Sequence, residues 1–562
     1  MWNPGSGGEM TDAAAGAKPE ASGPRAAAAR RGPLGAGAVV WAAGLVVGVA
    51  SGYAAVGFRV AIAALQTLLY GADDETIHSQ AADLNPLVVV AIPILGGFAV
   101  GWILHRFTDL GRGHGMADVI EAAAFRDSRV DRKEGAASAL AALVTLSAGG
   151  STGREGPAVH LAAVLSSWVS DRLRATGITA RDILGCATAA AVSASFNAPL
   201  AGAVFALEVV LRHYAMHALG PVVVAAAAGA VVSRVHMGDV TEYALPAHNV
   251  EFYAEMPAFA LLGALCGIVA VLLMRALLVA DRLGSRVALR VGLTPIQRPA
   301  AAGAALGAIA VFFPHVIGVG YETTSRALTV SFGFWTCVLF AVVKCAAVAI
   351  TYGGRMGGGV FSPSLMLGAL TGAAFGAVAT GLFPEASGSV GLYALAGMGA
   401  VAAAVLGAPI STMLIVFELT ADFQAALAVM VSVSIASAVA HRFVSKSFFL
   451  AQLARKGVGL TDDPQVLAAK KLRVRAYMRL RGDDNAASDS ACEALIAQGA
   501  WLRRDDALAL ALPMFDRLKG PFLPVVEERE DGSTKLIGAL YHVDALKAIN
   551  RIYQATYREE HS

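Results

Sequence analysis

Between residues 111 and 418 the apolar part of the chain passes the same three landmarks twice, in the same order. Gly111-x-Gly113 returns as Gly318-x-Gly320, and Gly149-Gly150 running to Pro157 returns as Gly353-Gly354 running to Pro363. Ala198-Pro199 leading to Glu208 returns as Ala408-Pro409 leading to Glu418, nine residues from Pro to Glu each time. The pairs Gly113/Gly320, Pro157/Pro363 and Pro199/Pro409 lie 207, 206 and 210 residues apart. Two halves with Gly/Pro-interrupted hydrophobic segments at matching places point to a transport site where broken helices meet near the bilayer midplane. Gly and Pro punctuate any membrane protein, but three ordered coincidences at one offset exceed what composition produces.

Composition agrees with a membrane setting. Of 562 residues 56% are hydrophobic and only 15% charged, against roughly 25% charged in soluble domains. Runs such as Ala36 to Phe58, Leu87 to Leu104, Pro257 to Met274, Phe334 to Thr351 and Leu427 to Ala440 approach the ~20 residues that span hydrocarbon. Arg25, Arg30 and Arg31 precede the first run, and Arg455, Lys456, Lys470, Lys471, Arg473 and Arg475 follow the last, which predicts cytoplasmic termini. The expected organisation is a disordered tail over residues 1–35, a membrane domain over 36–456 in two halves (about 36–235 and 255–456), and a soluble unit over 457–562. The late, long first apolar run argues against a signal peptide, so the expected location is a cell (inner) membrane. A net charge of +2, without a basic stripe, argues against a nucleic-acid partner. The five cysteines show no metal-binding spacing and read as small packing residues, so neither metal nor cofactor is called for.

An ionisable group at membrane depth costs at least ~2.5 kcal/mol, so each one in the apolar region requires a reason. In Ser147 to His160, small residues let the backbone turn, and Pro157 suits the first turn of a helix. The free N–H groups and positive dipole end of that helix make an anion site. Glu155 stands in it, able to occupy the anion position as a plug and to leave when protonated. A buried Arg154–Glu155 ion pair is the plainer alternative. The matching place, Gly357-Gly358-Gly359-Val360-Phe361-Ser362-Pro363, holds no acid and reads as an open amide cradle, which leaves the pathway a single gate. Glu208 and Glu418 are expected to cap helices rather than line the pathway, and Lys344 to be structural or to make the potential positive.

These residues resemble the CLC family of chloride channels and chloride/proton exchangers over most of residues 37 to 455. Gly153-Arg154-Glu155-Gly156-Pro157 is similar to the family's G-[KR]-E-G-P, and Gly359-Val360-Phe361-Ser362-Pro363 to its G-x-F-x-P; Asn197-Ala198-Pro199 and Gly407 to Glu418 also fit. The resemblance implies an all-α polytopic fold, an inverted repeat of broken and tilted helices, dimerising with one anion pathway per subunit. It implies a gating and proton-transferring glutamate at Glu155, and an anion site at His114, Gly115, Met116, Gly153, Arg154, Gly156, Val360, Phe361 and Phe449. Three departures stand out. The family's G-S-G-I-P is replaced by Gly113-His114-Gly115-Met116-Ala117; His114 either titrates and makes anion binding pH-dependent, or stays neutral and donates one hydrogen bond. Val209 occupies the place of the exchangers' internal proton acid. Phe449, or Phe448 one residue away, replaces the tyrosine whose hydroxyl meets the central anion.

Beyond residue 460 the pattern predicts a helix over Asp505 to Leu518, a hairpin of Phe522 to Glu527 and Lys535 to Leu540 across Asp531-Gly532, and a helix over Val543 to Tyr553. This order resembles a CBS module, with a degenerate first module between Val474 and Trp501. Tyr541 stands where a ribose-binding hydroxyl precedes Asp544, which favours a dimerising or regulatory role over nucleotide binding. The leading function is glutamate-gated transport of chloride or a similar small anion, channel-like or weakly coupled to protons. The alternatives are a stoichiometric chloride/proton exchanger and a cation-coupled organic-acid transporter. An intramembrane enzyme has no HExxH, paired aspartates or Ser/His constellation to support it.

Overall fold

The computed structural model describes residues 33–109, 111–175, 177–214, 216–238, 252–329, 332–384, 387–420, 422–460, 472–483, 485–528 and 534–561. Nearly all of the expected N-terminal tail and the Asp531-Gly532 turn lie outside the described residues. The first half runs α1 (Pro33–Tyr70), α2 (Ile77–Asp83), α3 (Pro86–Phe107), α4 (Met116–Phe125), α5 (Arg132–Ser147), α6 (Glu155–Leu173), α7 (Gly177–Phe196), α8 (Pro199–Phe205) and α9 (Met216–Met237). The second runs α10 (Phe252–Val291), α11 (Gln297–Phe312), α12 (Tyr321–Thr329), α13 (Phe334–Gly353), α14 (Phe361–Leu382), α15 (Val390–Leu406), α16 (Pro409–Thr420), α17 (Phe423–Phe443) and α18 (Phe448–Arg455). Each Gly-x-Gly landmark is followed by helices in the same order: α4 to α9 in the first half, α12 to α17 in the second.

Among the described residues, seven helical segments are long and apolar enough to cross a membrane. The 40-residue α10, at 1.5 Å per residue, far exceeds a ~30 Å hydrocarbon core and must tilt. By contrast α15 has 17 residues and is buried from Gly391 to Leu406, so it is a core helix rather than a lipid-facing span. Its contact with α14 depends on close backbone approach: a Cβ on Gly372 would sit 2.1 Å from the Tyr393 carbonyl oxygen, and one on Gly397 2.4 Å from that of Gly368. Without a hydrophobic drive between helices in lipid, such small-residue seams let dispersion hold the bundle.

Two features fix the inverted relation of the halves. Glu208 accepts hydrogen bonds from the N–H groups of Ile410 (3.1 Å) and Ser411 (2.8 Å) at the start of α16. Glu418 accepts from Leu200 (2.9 Å) and Ala201 (2.7 Å) at the start of α8. Each glutamate therefore caps the two residues after the other half's proline, as only an antiparallel, two-fold-related pair allows. The expected capping role of both acids holds, and it satisfies four amides that a helix start leaves orphaned. The second feature is a backbone bridge in which Gly153 and Gly359 exchange both N–H···O bonds, at 2.8 and 2.7 Å. Each glycine lies four residues before its half's proline, Pro157 or Pro363.

The C-terminal region is one α/β unit. Its sheet has the order β1–β4–β3–β2, with β1 Arg479–Leu480, β2 Leu502–Arg503, β3 Phe522–Glu528 and β4 Thr534–Tyr541. The helices are α19 (Asp489–Ala497), α20 (Ala511–Leu518) and α21 (His542–His561). The helix expected from Asp505 starts later, after a 3₁₀ turn at Leu508–Leu510. Rather than forming a separate module, the segment after Val474 adds β1 to the edge of the same sheet, antiparallel to β4.

Candidate functional site

Helices α6 and α14 begin at Glu155 and Phe361 after glycine turns, and the residues before them, Arg154 and Val360, make no side-chain cap. The helix starts at α8 and α16 are closed by glutamates; those at α6 and α14 are left for something else. The Gly153–Gly359 bridge holds these two open starts side by side. A glycine is required at the bridge: a Cβ on Gly153 would lie 2.9 Å from Glu155 Oε2 and 3.1 Å from the Ser362 nitrogen. The Glu155 carboxylate thus occupies the space in front of the α14 start as well as its own.

Glu155 is 1% exposed. Its Oε1 accepts from the Ser362 hydroxyl at 2.5 Å and the Tyr321 hydroxyl at 3.2 Å, both from the second half. The cradle around Ser362, expected to be open, is therefore closed by the first half's acid. Arg154 does not turn to this carboxylate in the way a simple ion pair would; its guanidinium lies over the Tyr321 ring, 4.6 Å from the centroid.

A cavity of about 510 Å³ approaches this seam. Its lining brings together His114, Gly115, Met116, Gly156, Val360 and Phe361, with Phe448 and Phe449 on one wall. Gly153 and Arg154, expected with them, are not in the lining; Arg154 borders a separate small pocket with Ala55, Phe58 and Ala158. The cavity reaches Gly156 and stops short of the buried Glu155, as a pathway closed by that side chain would. Arg112, Arg282, Arg355, Arg455 and Lys456 line it against only Asp118 and Asp281, so its field is positive and attracts anions. Among the described residues no cluster of potential metal ligands occurs.

The two substituted positions take different courses. His114 lines the cavity, yet its Nδ1 lies 3.3 Å from Asp118 and its Nε2 3.1 Å from Glu134, and its backbone N–H donates to Ser138 Oγ at 2.9 Å. Both ring nitrogens and the amide thus face protein oxygens. The Asp118 hydrogen bond raises the histidine's pKa above its ordinary value, with burial opposing. Burial pushes the Asp118 carboxyl up, but the His114 hydrogen bond and the Lys456 charge, 2.5 Å away, hold it below the usual range. The second substitution leaves no hydroxyl at Phe449, but Tyr352 lines the same cavity with its hydroxyl bonded to Gln452. Val209 is buried in a π-helical turn, Ala206–Leu211, that continues α8.

Tyr321 and Tyr352 are the site residues that the sequence motifs missed. A signal for Tyr321 existed: it follows Gly318-x-Gly320 as His114 follows Gly111-x-Gly113, at the 207-residue offset. Tyr352 carried none, being a lone tyrosine at the end of an apolar run.

Two antiparallel sets of broken helices, with amide-rich starts meeting at a buried carboxylate beside a positive cavity, define a membrane anion-transport protein. Residues 96–441 match the family model described as voltage gated chloride channel. A ClcB-like chloride channel protein of Ralstonia nicotianae is 32% identical over 414 residues, 73% of this chain and 95% of that protein. In fold, the chain is similar to a slow cyanobacterial Cl⁻/H⁺ antiporter (TM-score 0.65, 22% identity, 74% of this chain and 97% of that one). It is also similar to a eukaryotic CLC transporter (TM-score 0.64, 18% identity, 90% and 97%). The chain belongs to the CLC family of voltage-gated chloride channels.

Proposed function

We propose that the chain carries chloride or a similarly small anion through one glutamate-gated pathway per subunit of a homodimer, channel-like or weakly coupled to protons. The observation that carries this reading is the Glu155 carboxylate lodged between the open starts of α6 and α14, where the cavity ends. An anion that displaces this carboxylate meets the uncapped starts of both helices. Weak coupling rests on Val209, whose buried side chain cannot hold a proton where exchangers of the family resembled carry an acid. Stoichiometric exchange is the second reading, supported by the antiporter among the similar structures.

The flanking charges support an inner-membrane setting with both termini cytoplasmic. Within the proposed CBS-like unit over 457–562, Arg479 pairs with Asp544 (2.8 Å) and lies over the Tyr541 ring (3.9 Å). The acid that would hold a ribose is thereby occupied, in favour of a dimerising or regulatory role.

The test is chloride efflux from liposomes holding the purified protein, with external pH recorded and no ionophore present. Chloride flow without proton movement supports the channel-like reading, whereas uphill proton movement driven by chloride establishes exchange. Glu155→Gln, a mimic of the protonated plug, raises anion flow and abolishes any proton movement; if both are untouched, Glu155 is not the gate.

A further inference from the structure

Glu155 belongs to the first half, but the hydroxyls that hold it come from α12 and α14 of the second. Both Tyr321 Oη and Ser362 Oγ donate to the same oxygen, Oε1, while Oε2 has no hydrogen-bond partner. Neither donor is loosely placed. Ser362 lies in the first turn of α14 and is 2% exposed. Tyr321 is 4% exposed, with the Arg154 guanidinium over its ring. The backbone leading into Tyr321 is tied down by Lys344, fully buried on α13, whose Nζ donates to the carbonyls of Val316 (3.3 Å) and Gly318 (3.0 Å). A Cβ on Gly320 would lie 3.4 Å from that ammonium. The charged and titratable groups gathered around the carboxylate are thus Arg154 beside it, Tyr321 on α12 and Lys344 behind Gly320.

We propose that Tyr321 and Ser362 form a two-hydroxyl latch that holds the Glu155 carboxylate in the anion position and sets how readily the plug leaves. The proposal rests on the reading of Glu155 as the gate and adds the residues that tune it. Hydrogen bonds to an ionised acceptor are roughly twice as strong as those between neutral groups. Two donors on one oxygen therefore favour the ionised plug; protonation both removes its charge and loosens the latch. Both hydroxyls act through Glu155 and are positioning residues.

The experiment measures chloride efflux from liposomes between pH 4 and 8 for the parent, Tyr321→Phe, Ser362→Ala, Ser362→Thr and Glu155→Gln, and for each hydroxyl deletion combined with Glu155→Gln. Deleting either hydroxyl raises efflux by about 10-fold, the scale of one hydrogen bond to a charged group. It also reduces the acid dependence of efflux, since one charge-assisted hydrogen bond no longer holds the ionised plug. Ser362→Thr restores the parent profile, and both effects are smaller in the Glu155→Gln background, where the acceptor carries no charge. If Tyr321→Phe and Ser362→Ala keep the parent rate and profile while Glu155→Gln alters flux, the latch is overturned and the gate stands. A loss of flux that persists in the Glu155→Gln background marks a structural defect and overturns the latch. If Glu155→Gln itself leaves flux unchanged, the gate on which the latch rests falls.

Discussion

At Gly153 and Gly359 the two halves of the membrane domain are the same: each glycine precedes its proline by four residues, and each donates to and accepts from the other. From the next residue on, Arg154 against Val360, they part. Where the first half has Glu155 and Gly156, the second has Phe361 and Ser362, and where the first has His114, the second has Tyr321. The glutamate caps show the same contrast in milder form, with Glu208 in a π-helical turn and Glu418 in an ordinary α-helix. The shared elements all govern backbone: turns, bridge and caps. The divergent ones all carry side-chain chemistry, the acid on one side and its hydroxyl donors on the other. One scaffold used twice therefore places a single carboxylate at the seam, because only half of it supplies the charge.

Substitutions at matched places break or sharpen that comparison. The largest effect is expected at the bridge. Gly153→Ala pushes a methyl into Glu155 Oε2 and the Ser362 amide, and Gly359→Ala puts one 3.1 Å from the Gly156 nitrogen. Since overpacking of this kind costs about 1–3 kcal/mol, both variants should lose about 10- to 100-fold in efflux. A harmless Gly359→Ala beside a damaging Gly153→Ala would extend the asymmetry to the backbone.

The reciprocal caps come next and are read by thermal unfolding in detergent. Glu208→Ala and Glu418→Ala each strand two amides, at a cost of about 2–4 kcal/mol. The loss should be greater at Glu208, whose carboxylate also accepts from the Ser411 hydroxyl. Equal losses would show that the hydroxyl adds nothing.

Val209→Glu tests the coupling difference. An acid placed in the π-turn should raise the protons moved per chloride at least several-fold in the liposome assay, and an unchanged ratio would remove Val209 from the proposed weak coupling.

The smallest effect belongs to His114. Its pKa is raised in the folded chain, so the stability it contributes is complete below histidine's ordinary value and fades as pH rises through the raised one. The parent's unfolding temperature should therefore fall as pH rises above about 6.5, histidine's ordinary value, and His114→Ser should flatten that fall. If His114 instead met the anion, the same variant would change the pH dependence of flux and leave the unfolding profile alone.

Much of this was legible in the sequence. The offset of about 207 residues announces the repeat, the prolines mark the starts of α8 and α16 and the first turns of α6 and α14, and Glu155 stands out as an acid in a glycine-rich apolar turn. The pairings were not legible. His114 reads as a ligand from its motif position, and nothing local announces that its Nε2 lies 3.1 Å from Glu134, twenty residues away in sequence. Ser362 reads as part of an open cradle because nothing in its neighbourhood is acidic; its acceptor is more than two hundred residues upstream. The longer C-terminal strands were found because their apolar runs and the Asp531-Gly532 turn signal are local, whereas the two-residue β1 and β2 are too short to show a pattern.

Sequence by itself determined the membrane class, the doubled architecture and the place of the acid at the start of α6. These follow from hydrophobic run length, from the conformational demands of Gly and Pro, and from the cost of an ion in hydrocarbon, all of which act within a short stretch of chain. Only the tertiary structure decided which oxygen meets which donor: Glu208 with Ile410 and Ser411, Glu155 with Tyr321 and Ser362, His114 with Asp118 and Glu134. Hydrogen bonds reach about 3 Å, and which groups come that close depends on how two antiparallel halves pack, which no local pattern encodes.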